Sequence, residues 1–388
     1  MVKKKNNLSS FFFLIYGIGK SGVSSYEYLK KNNNCFLFDD NLKNIPSRYK
    51  KKIIKIDQIK SKNFDYIILS PGIDINKCKL KNYLVQNKSK IVTDLDIFSL
   101  SHPKNKKITI TGTNGKSTTS TLLFKILKQH DLDVRLTGNI GNPILAEKNI
   151  NKKTIFIIEA SSYQLDYSKF FRSNLGAILN LSPDHLERHG NFNNYVFSKF
   201  KLLMNQKSDD YALIENKDKN LKKLISKHKI KSKIKYVKYS NKLLKQVKNT
   251  YLNNSANERN LNFIFEIAKI LRLNNHKLIK VINGFKGLKF RQQKIYCKHN
   301  LLILNDSKST SFSSTIPLLE SFKNIFWILG GLPKKNDKLI LSNKYFNNIN
   351  AYIYGKNSFF FKKNIKNKIN YNISSNISDS LKKLFIDI

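Results

Sequence analysis

Lys107-Ile108-Thr109-Ile110-Thr111-Gly112-Thr113-Asn114-Gly115-Lys116-Ser117-Thr118-Thr119 is the stretch from which the rest of the chain can be read. Ile108 and Ile110 alternate with polar residues, as at the end of a strand. Two glycines then turn the chain into Leu122, Leu123, Ile126 and Leu127, spaced for a helix packed on a sheet. Such a turn aims backbone N–H groups and the positive end of a helix at one point, which suits a polyphosphate. Lys116 adds a mobile charge for the outer phosphates, and the Ser117 hydroxyl can ligate Mg²⁺. The strict nucleotide pattern has glycine at position 110, where this chain has Ile, so the stretch is a variant phosphate loop. ATP and Mg²⁺ are the expected ligands, with Gly112, Thr113, Asn114, Gly115, Lys116, Ser117 and Thr118 around the nucleotide.

Upstream, Phe11–Tyr16 reads as a buried first strand and is too short to span a membrane. It runs into Gly17-Ile18-Gly19-Lys20-Ser21-Gly22, and a second strand, Cys35–Phe38, ends at Asp39 and Asp40. Taken alone this spacing reads as an NAD-binding unit, although the same glycines can simply make tight turns. A third strand, Tyr66–Leu69, ends in the turn Ser70-Pro71-Gly72. Ser101–Lys106 is a polar linker.

Downstream, Thr137–Pro143 is rich in turn formers, and the apolar run Ile155–Ile158 delivers Glu159 at a strand tip. A carboxylate beside a phosphate loop is where a Mg²⁺–nucleotide site takes an anionic ligand. The strand Ala177–Leu181 brings Asp184 and His185 to the same kind of edge, and Tyr195 and Lys199 fall on one face of the following helix. Lys217–Val247 reads as peripheral, and Asn257 and Asn260 precede the apolar helix Leu261–Leu271. Leu301–Leu304, Ile325–Leu329 and Ala351–Tyr354 predict another open parallel sheet with polar or Gly-rich tips.

The chain of 388 residues has room for several cores. Its 71 Lys and Arg against 26 Asp and Glu give +45, a balance that would suit nucleic acid if it were gathered on one face. The lysines are instead scattered among Asn, Ile and Phe in every segment, so no nucleic-acid partner is expected. Cys35, Cys78 and Cys297 lie far apart, with neither zinc spacing nor a disulfide framework, and a reducing cytoplasm is the simplest setting.

Thr111–Thr119, Gly138–Gly141, Glu159–Leu165, Asp184–Arg188, Asn305–Lys308 and Leu329–Gly331 occur in that order. The ordered set resembles the Mur ligases, and it covers the chain from about Phe11 to Lys335. Roughly 100 residues ahead of the phosphate loop argue against the related folylpolyglutamate synthases. Ser161–Leu165 and Asn114 favour the branch that adds D-glutamate to UDP-N-acetylmuramoyl-L-alanine over the branch that adds L-alanine.

The resemblance implies an α/β chain of three domains: residues 1–99 Rossmann-like for the UDP end, 100–285 for ATP, and 286–388 Rossmann-like for amino acid and nucleotide. It reassigns Gly17, Gly19, Lys20, Ser21, Asp39, Ser70, Pro71 and Gly72 from NAD to the UDP-substrate, and adds Asn139, Ser161 and Thr310 as substrate residues. Lys116 would hold ATP phosphates. Ser117 and Glu159 would serve one Mg²⁺, and His185 and Lys199 a second, with Lys199 in the place of a carbamylated lysine. Asn257 and Asn260 would contact adenine, although Ala256 replaces the usual His. Arg291 and Lys308 would meet nucleotide phosphates, and Asp306 would orient the ribose or Lys308.

The implied reaction is ATP-dependent amide formation through an acyl phosphate, in a cytoplasmic monomer with no membrane partner. Two departures stand out: Ser309-Thr310-Ser311 replaces Ala-Thr-Asn, and the chain ends at Ile388, where family members continue. The corresponding expectation is a truncated sequence or a degraded third domain. Rival readings are another Mur ligase, a non-catalytic nucleotide-binding remnant and an NAD-dependent oxidoreductase. The last leaves the second phosphate loop and Glu159 without a task.

Overall fold

Short runs such as Phe13-Leu14-Ile15-Tyr16 and Phe156-Ile157-Ile158 are apolar at successive positions and fully buried, the signature of strands covered on both faces. In the computed structural model, which describes residues 8–43, 45–239, 242–252, 254–334 and 337–388, these runs form parallel sheets. The first comprises β1 (Phe12–Tyr16), β2 (Asn34–Phe38), β3 (Tyr66–Leu69) and β4 (Ile91–Val92), in the order β2-β1-β3-β4. The second comprises β5 (Lys107–Thr111), β6 (Val134–Gly138), β7 (Ile155–Glu159), β8 (Leu175–Ile178), β9 (Tyr211–Glu215) and β10 (Lys233–Val237). Its order is β10-β9-β8-β5-β7-β6, with every pairing parallel.

This order places β5 between β7 and β8, where the winding of the sheet reverses. The crevice beyond the carboxyl end of such a strand is where open α/β sheets bind ligands. β1, flanked by β2 and β3, holds the corresponding position in the first sheet. The Lys/Asn-rich segment after Glu215 supplies the edge strand β10, whose residues are largely exposed, in line with its peripheral reading.

Both sheets belong to one compact unit, made of the residues up to Leu244 together with Asn260–Ile282. They are joined through the helix Asp94–Ser101, capped by Thr93. Asp96, fully buried, uses one carboxylate oxygen to accept from the Thr93 N–H at 2.9 Å and hydroxyl at 3.1 Å. The other oxygen accepts from the Ser168 hydroxyl at 2.7 Å and from the N–H groups of Lys169, Phe170 and Phe171 at 2.9, 2.7 and 2.9 Å. The linker is fixed by Lys107, whose buried ammonium donates to the carbonyls of His102 at 2.7 Å and Asn105 at 3.0 Å.

Close backbone approach dictates one residue here. A Cβ at Gly22 would lie 1.8 Å from the Gly17 carbonyl oxygen, a backbone atom that cannot swing away. Gly22→Ala is expected to destabilise the first unit by about 3 kcal/mol through this overlap. A urea-denaturation midpoint equal to that of the wild type would refute it.

The second unit combines Lys245–Arg259 with Asn283–Ile388. It contains the ribbon β11 (Gln293–Lys298) and β12 (Leu301–Asn305), and the parallel sheet β13 (Ile325–Gly330), β14 (Ile349–Tyr354) and β15 (Asn370–Ser374). The helices Phe312–Leu319 and Ser358–Ile365 bring Phe312, Leu319 and Ile365 into one core with Leu329, Ala351 and Ile353 of the sheet.

The expectation that Leu301–Leu304 belongs to the parallel sheet is corrected: this run pairs antiparallel with β11. The cause is the two-residue turn His299-Asn300, with φ of 49° and 60°. That geometry folds the chain straight back into a hairpin.

Candidate functional site

The phosphate loop forms because two glycines take backbone conformations that other residues resist. Gly112 has φ +150° and Gly115 has φ +82°, and Gly115 caps the helix Lys116–Gln129. A Cβ on Gly115 would fall 2.2 Å from Asn260 Oδ1, so the Asn260 side chain lies directly against the loop. The loop is held from β8 onward: Asn180 Oδ1 accepts from the Asn114 N–H at 2.8 Å, and Asn180 Nδ2 donates to the Asn114 carbonyl at 2.9 Å. Thr113 shares a hydrogen bond of 2.9 Å with the Tyr195 hydroxyl.

Two lysines converge on this turn. Lys116 Nζ donates to the carbonyls of Gly112 at 2.8 Å and Thr113 at 2.7 Å. Lys199 Nζ, from the helix Phe192–Met204, donates to the same Gly112 carbonyl at 2.9 Å and sits over the Tyr195 ring at 4.7 Å. Lys199 is 1 % exposed. Burial holds its amine well below the usual lysine range, and Lys116 pushes it the same way. The charges of Asp184 and Glu159 oppose the shift. A buried lysine with a depressed pKa gains neutral, nucleophilic character.

Glu159, at the tip of β7, is also 1 % exposed. Asn139 donates its side-chain amide to Glu159 Oε1 at 2.7 Å and its N–H to the Glu159 carbonyl at 2.9 Å. Glu159 Oε2 is buried with no hydrogen-bond partner. An unsatisfied carboxylate oxygen in the interior is costly and signals a missing cationic or donor partner. Ser117 is buried in the first turn of the helix Lys116–Gln129, which follows β5.

His185 opens the short helix Leu186–His189 with φ 54°. It lies 3.4 Å from Asp184 and 3.6 Å from Glu187, and its ring packs on Tyr163 at 4.8 Å. His189, which the sequence reading passed over, stacks on Tyr163 at 5.6 Å and shares a hydrogen bond of 3.0 Å with Ser162. Burial holds its imidazole below the ordinary range. Among the described residues, no three His, Cys, Asp or Glu side chains are grouped to hold a metal ion. The expected ligand set joins Glu159 and His185 to a serine hydroxyl and a lysine.

At the carboxyl edge of the first sheet, Ser70 donates to the Gly17 carbonyl at 2.7 Å, which ties the turn after β3 to the Gly-rich loop. Asp39 accepts from the Ile18 N–H at 2.6 Å and the Asn41 N–H at 2.9 Å, so it shapes the loop. Gly19 and Lys20 stand at the start of the helix Lys20–Leu29, while Ser21 donates to the buried Asp94 at 2.6 Å. Pro71 and Gly72 follow in the turn, and a Cβ at Gly72 would meet open space. Ser161 caps the helix Ser162–Asp166 by accepting from the Gln164 N–H at 3.2 Å.

In the second unit, Asn257 donates to the Tyr251 carbonyl at 3.1 Å. Asp306 accepts from the Gln292 N–H at 3.0 Å and the Ser309 hydroxyl at 2.6 Å, and burial raises its pKa. The Lys308 N–H donates to Phe290 at 3.0 Å, with its side chain exposed like that of Thr310. The carbonyl of Arg291 accepts from the Tyr251 hydroxyl at 2.9 Å. The first unit thus gathers Gly112–Thr118, Glu159, Asn139, Lys199 and Asn260, while Asn257, Arg291, Asp306, Lys308 and Thr310 lie in the second.

A parallel sheet that delivers a glycine-rich turn, a lysine pair and a buried carboxylate to one switch-point edge defines an α/β protein of the phosphate-loop class. The Mur ligase middle domain matches residues 110–283. The UDP-N-acetylmuramoylalanine–D-glutamate ligase of Rickettsia prowazekii is 32 % identical over 387 residues, covering 94 % of this chain and 86 % of that one. The enzyme of the same name from Francisella tularensis subsp. novicida is 34 % identical over 326 residues, covering 82 % and 76 %. Among solved structures, the MurF ligase of Thermotoga maritima in complex with ADP aligns with a TM-score of 0.59 at 15 % identity, covering 100 % of this chain and 91 % of that one. The chain belongs to the Mur ligase family. Among the described residues no helix is long and apolar enough to cross a membrane.

Proposed function

We propose that this chain is an ATP-dependent ligase that joins D-glutamate to UDP-N-acetylmuramoyl-L-alanine, a step in building peptidoglycan precursors. The observation that carries the reading is the buried, unpartnered Glu159 Oε2 at the phosphate-loop edge, beside Lys199 and Lys116. The likeness to D-glutamate ligases over nearly the whole chain supports the substrates. We assign residues 1–99 to the UDP end, 100–285 to ATP and 286–388 to amino acid and nucleotide. Asn257, Arg291, Asp306, Lys308 and Thr310 take their roles from the motifs they occupy. The setting we propose is the cytoplasm, and the working form a monomer.

The residues present fit Mg²⁺. Glu159 Oε2 and the Ser117 hydroxyl would hold one ion, and His185 and Lys199 a second. An ammonium would repel that ion, but a lysine held in its neutral form can add CO₂ and become a carbamate oxygen ligand. Bound Mg²⁺ supplies charge that neutralises phosphate oxygens.

In the reaction, the terminal carboxylate of the UDP-substrate attacks the γ-phosphorus of ATP and the bond to ADP breaks. Lys116 and the N–H groups of the loop offset the charge on the transferring group. The amine of D-glutamate then attacks the acyl carbonyl, phosphate leaves with the bonding pair, and the amine loses its proton. Asn139 holds the Glu159 carboxylate in orientation throughout.

Phosphate release from Mg²⁺-ATP tests this reading. Release that requires both UDP-N-acetylmuramoyl-L-alanine and D-glutamate is the expected result. Release stimulated by a different amino acid would move the chain to another branch of the family. Absence of binding to either ATP or the UDP-substrate would end the proposal.

A further inference from the structure

Arg188 is nearly enclosed, its side chain 9 % exposed, and its guanidinium meets the Asp74 carboxylate only at long ion-pair range, 3.9 Å from Nε. A buried guanidinium is costly unless its donors are used. Here Nη2 donates to the carbonyls of Pro71, at 3.4 Å, and Ile73. The group also lies over the rings of Tyr163 at 4.7 Å and Tyr167 at 5.8 Å. Tyr163 in turn backs His185 and His189. On the other side, the turn that Arg188 grips begins at Ser70, whose hydroxyl holds the Gly17 carbonyl. Arg188 therefore connects the loops at the edge of the first sheet to the His185 loop of the second.

We infer that Arg188 is a positioning residue that fixes the span between the turn receiving the UDP end and the edge where the other end of the same substrate reacts. This rests on the assignment of Ser70–Gly72 to the UDP-substrate. A fixed span selects a ligand of one length, and a displacement of about 1 Å at a distance from the chemistry can cost up to ~100-fold. Arg is suited to this task and Lys is not, because the planar guanidinium donates to both carbonyls through Nη2 while its face lies over an aromatic ring.

The test compares wild type, Arg188→Lys and Tyr163→Leu for KM, kcat and direct calorimetric binding of UDP-N-acetylmuramoyl-L-alanine. Arg188→Lys is expected to lower kcat/KM for that substrate by ~10- to 100-fold, on the same geometric argument, with its KM and Kd both raised. KM for ATP and for D-glutamate should move less than about threefold, because the ATP loop and its lysines do not touch Arg188. Tyr163→Leu removes the stack and keeps the donors, so it should shift the same constants in the same direction by less. An unchanged KM for the UDP-substrate in Arg188→Lys would overturn the inference, as would a uniform loss across all three substrates. If the wild type itself fails to bind the UDP-substrate, the functional reading falls and the inference with it.

Discussion

Lys116→Ala is expected to lower the rate of phosphate release by roughly a thousandfold while the protein stays folded. The ammonium is held by the carbonyls of Gly112 and Thr113, where it presents a charge at the mouth of the loop. Removing one preorganised charge from a phosphoryl-transfer site typically costs about 10²- to 10³-fold, or roughly 3–4 kcal/mol of barrier. The effect should fall on kcat more than on the KM of the UDP-substrate, whose UDP end we propose to seat at the first sheet. A second consequence concerns Lys199. Lys116 is one of the influences that depress the Lys199 pKa, so its removal should move that amine upward. Steady-state kinetics and a lysine-selective NMR titration measure the two effects, and a variant within tenfold of wild type would contradict the first.

Asp96→Asn should produce the largest loss of stability. The carboxylate of Asp96 is completely buried and faces only donors: the hydroxyls of Thr93 and Ser168 and four backbone N–H groups. An amide at that position turns one oxygen into an NH₂ that points at other N–H groups. Hydrogen bonds to a charged partner contribute about 1.5–3 kcal/mol each, so a loss of at least about 3 kcal/mol is expected. For a unit of this size that corresponds to a fall in Tm of roughly 6–12 °C. Calorimetry reads it directly. Because Asp96 joins the two sheets, Arg188 and the Pro71 turn should also loosen, seen as faster amide exchange at residues 70–74. A melting temperature equal to wild type would show that the segment 168–171 is held by something else.

Much of the first unit was legible because its signals are local. A strand, a Gly-rich turn and a helix follow one another within residues 107–129, and the turn does not need a glycine at position 110. Ile110 lies inside β5, and the left-handed conformations fall on Gly112 and Gly115. Glu159 was visible because a charged residue closes an apolar run. The residues that sequence reasoning missed act over long separations. Asp96 reaches residues more than seventy positions away, Asn180 returns to Asn114, and Arg188 returns to Pro71. No spacing rule encodes such partners, although Arg188 sat within a motif already singled out.

The second unit was harder to read for a different reason. A four-residue apolar run does not say whether its neighbour is parallel or antiparallel. His299-Asn300 between two apolar segments was the available clue, since Asn tolerates the left-handed region that a tight hairpin requires.

The second unit is assembled from two separate stretches of chain, Lys245–Arg259 and Asn283–Ile388. Tyr251, from the first stretch, bonds to the carbonyl of Arg291, and its ring occupies the space that a side chain at Gly287 would need. Asn249 likewise donates to the carbonyl of Phe285 at 2.8 Å. Anyone dividing this protein for separate expression therefore meets a topological constraint. A fragment starting near residue 286 would leave behind the tyrosine that seats its first loop, and one ending there would carry a strip of its neighbour's interior. During synthesis the same threading means that the ribosome releases residues 245–259 well before their packing partners exist. Those fifteen residues must wait for the rest of their unit.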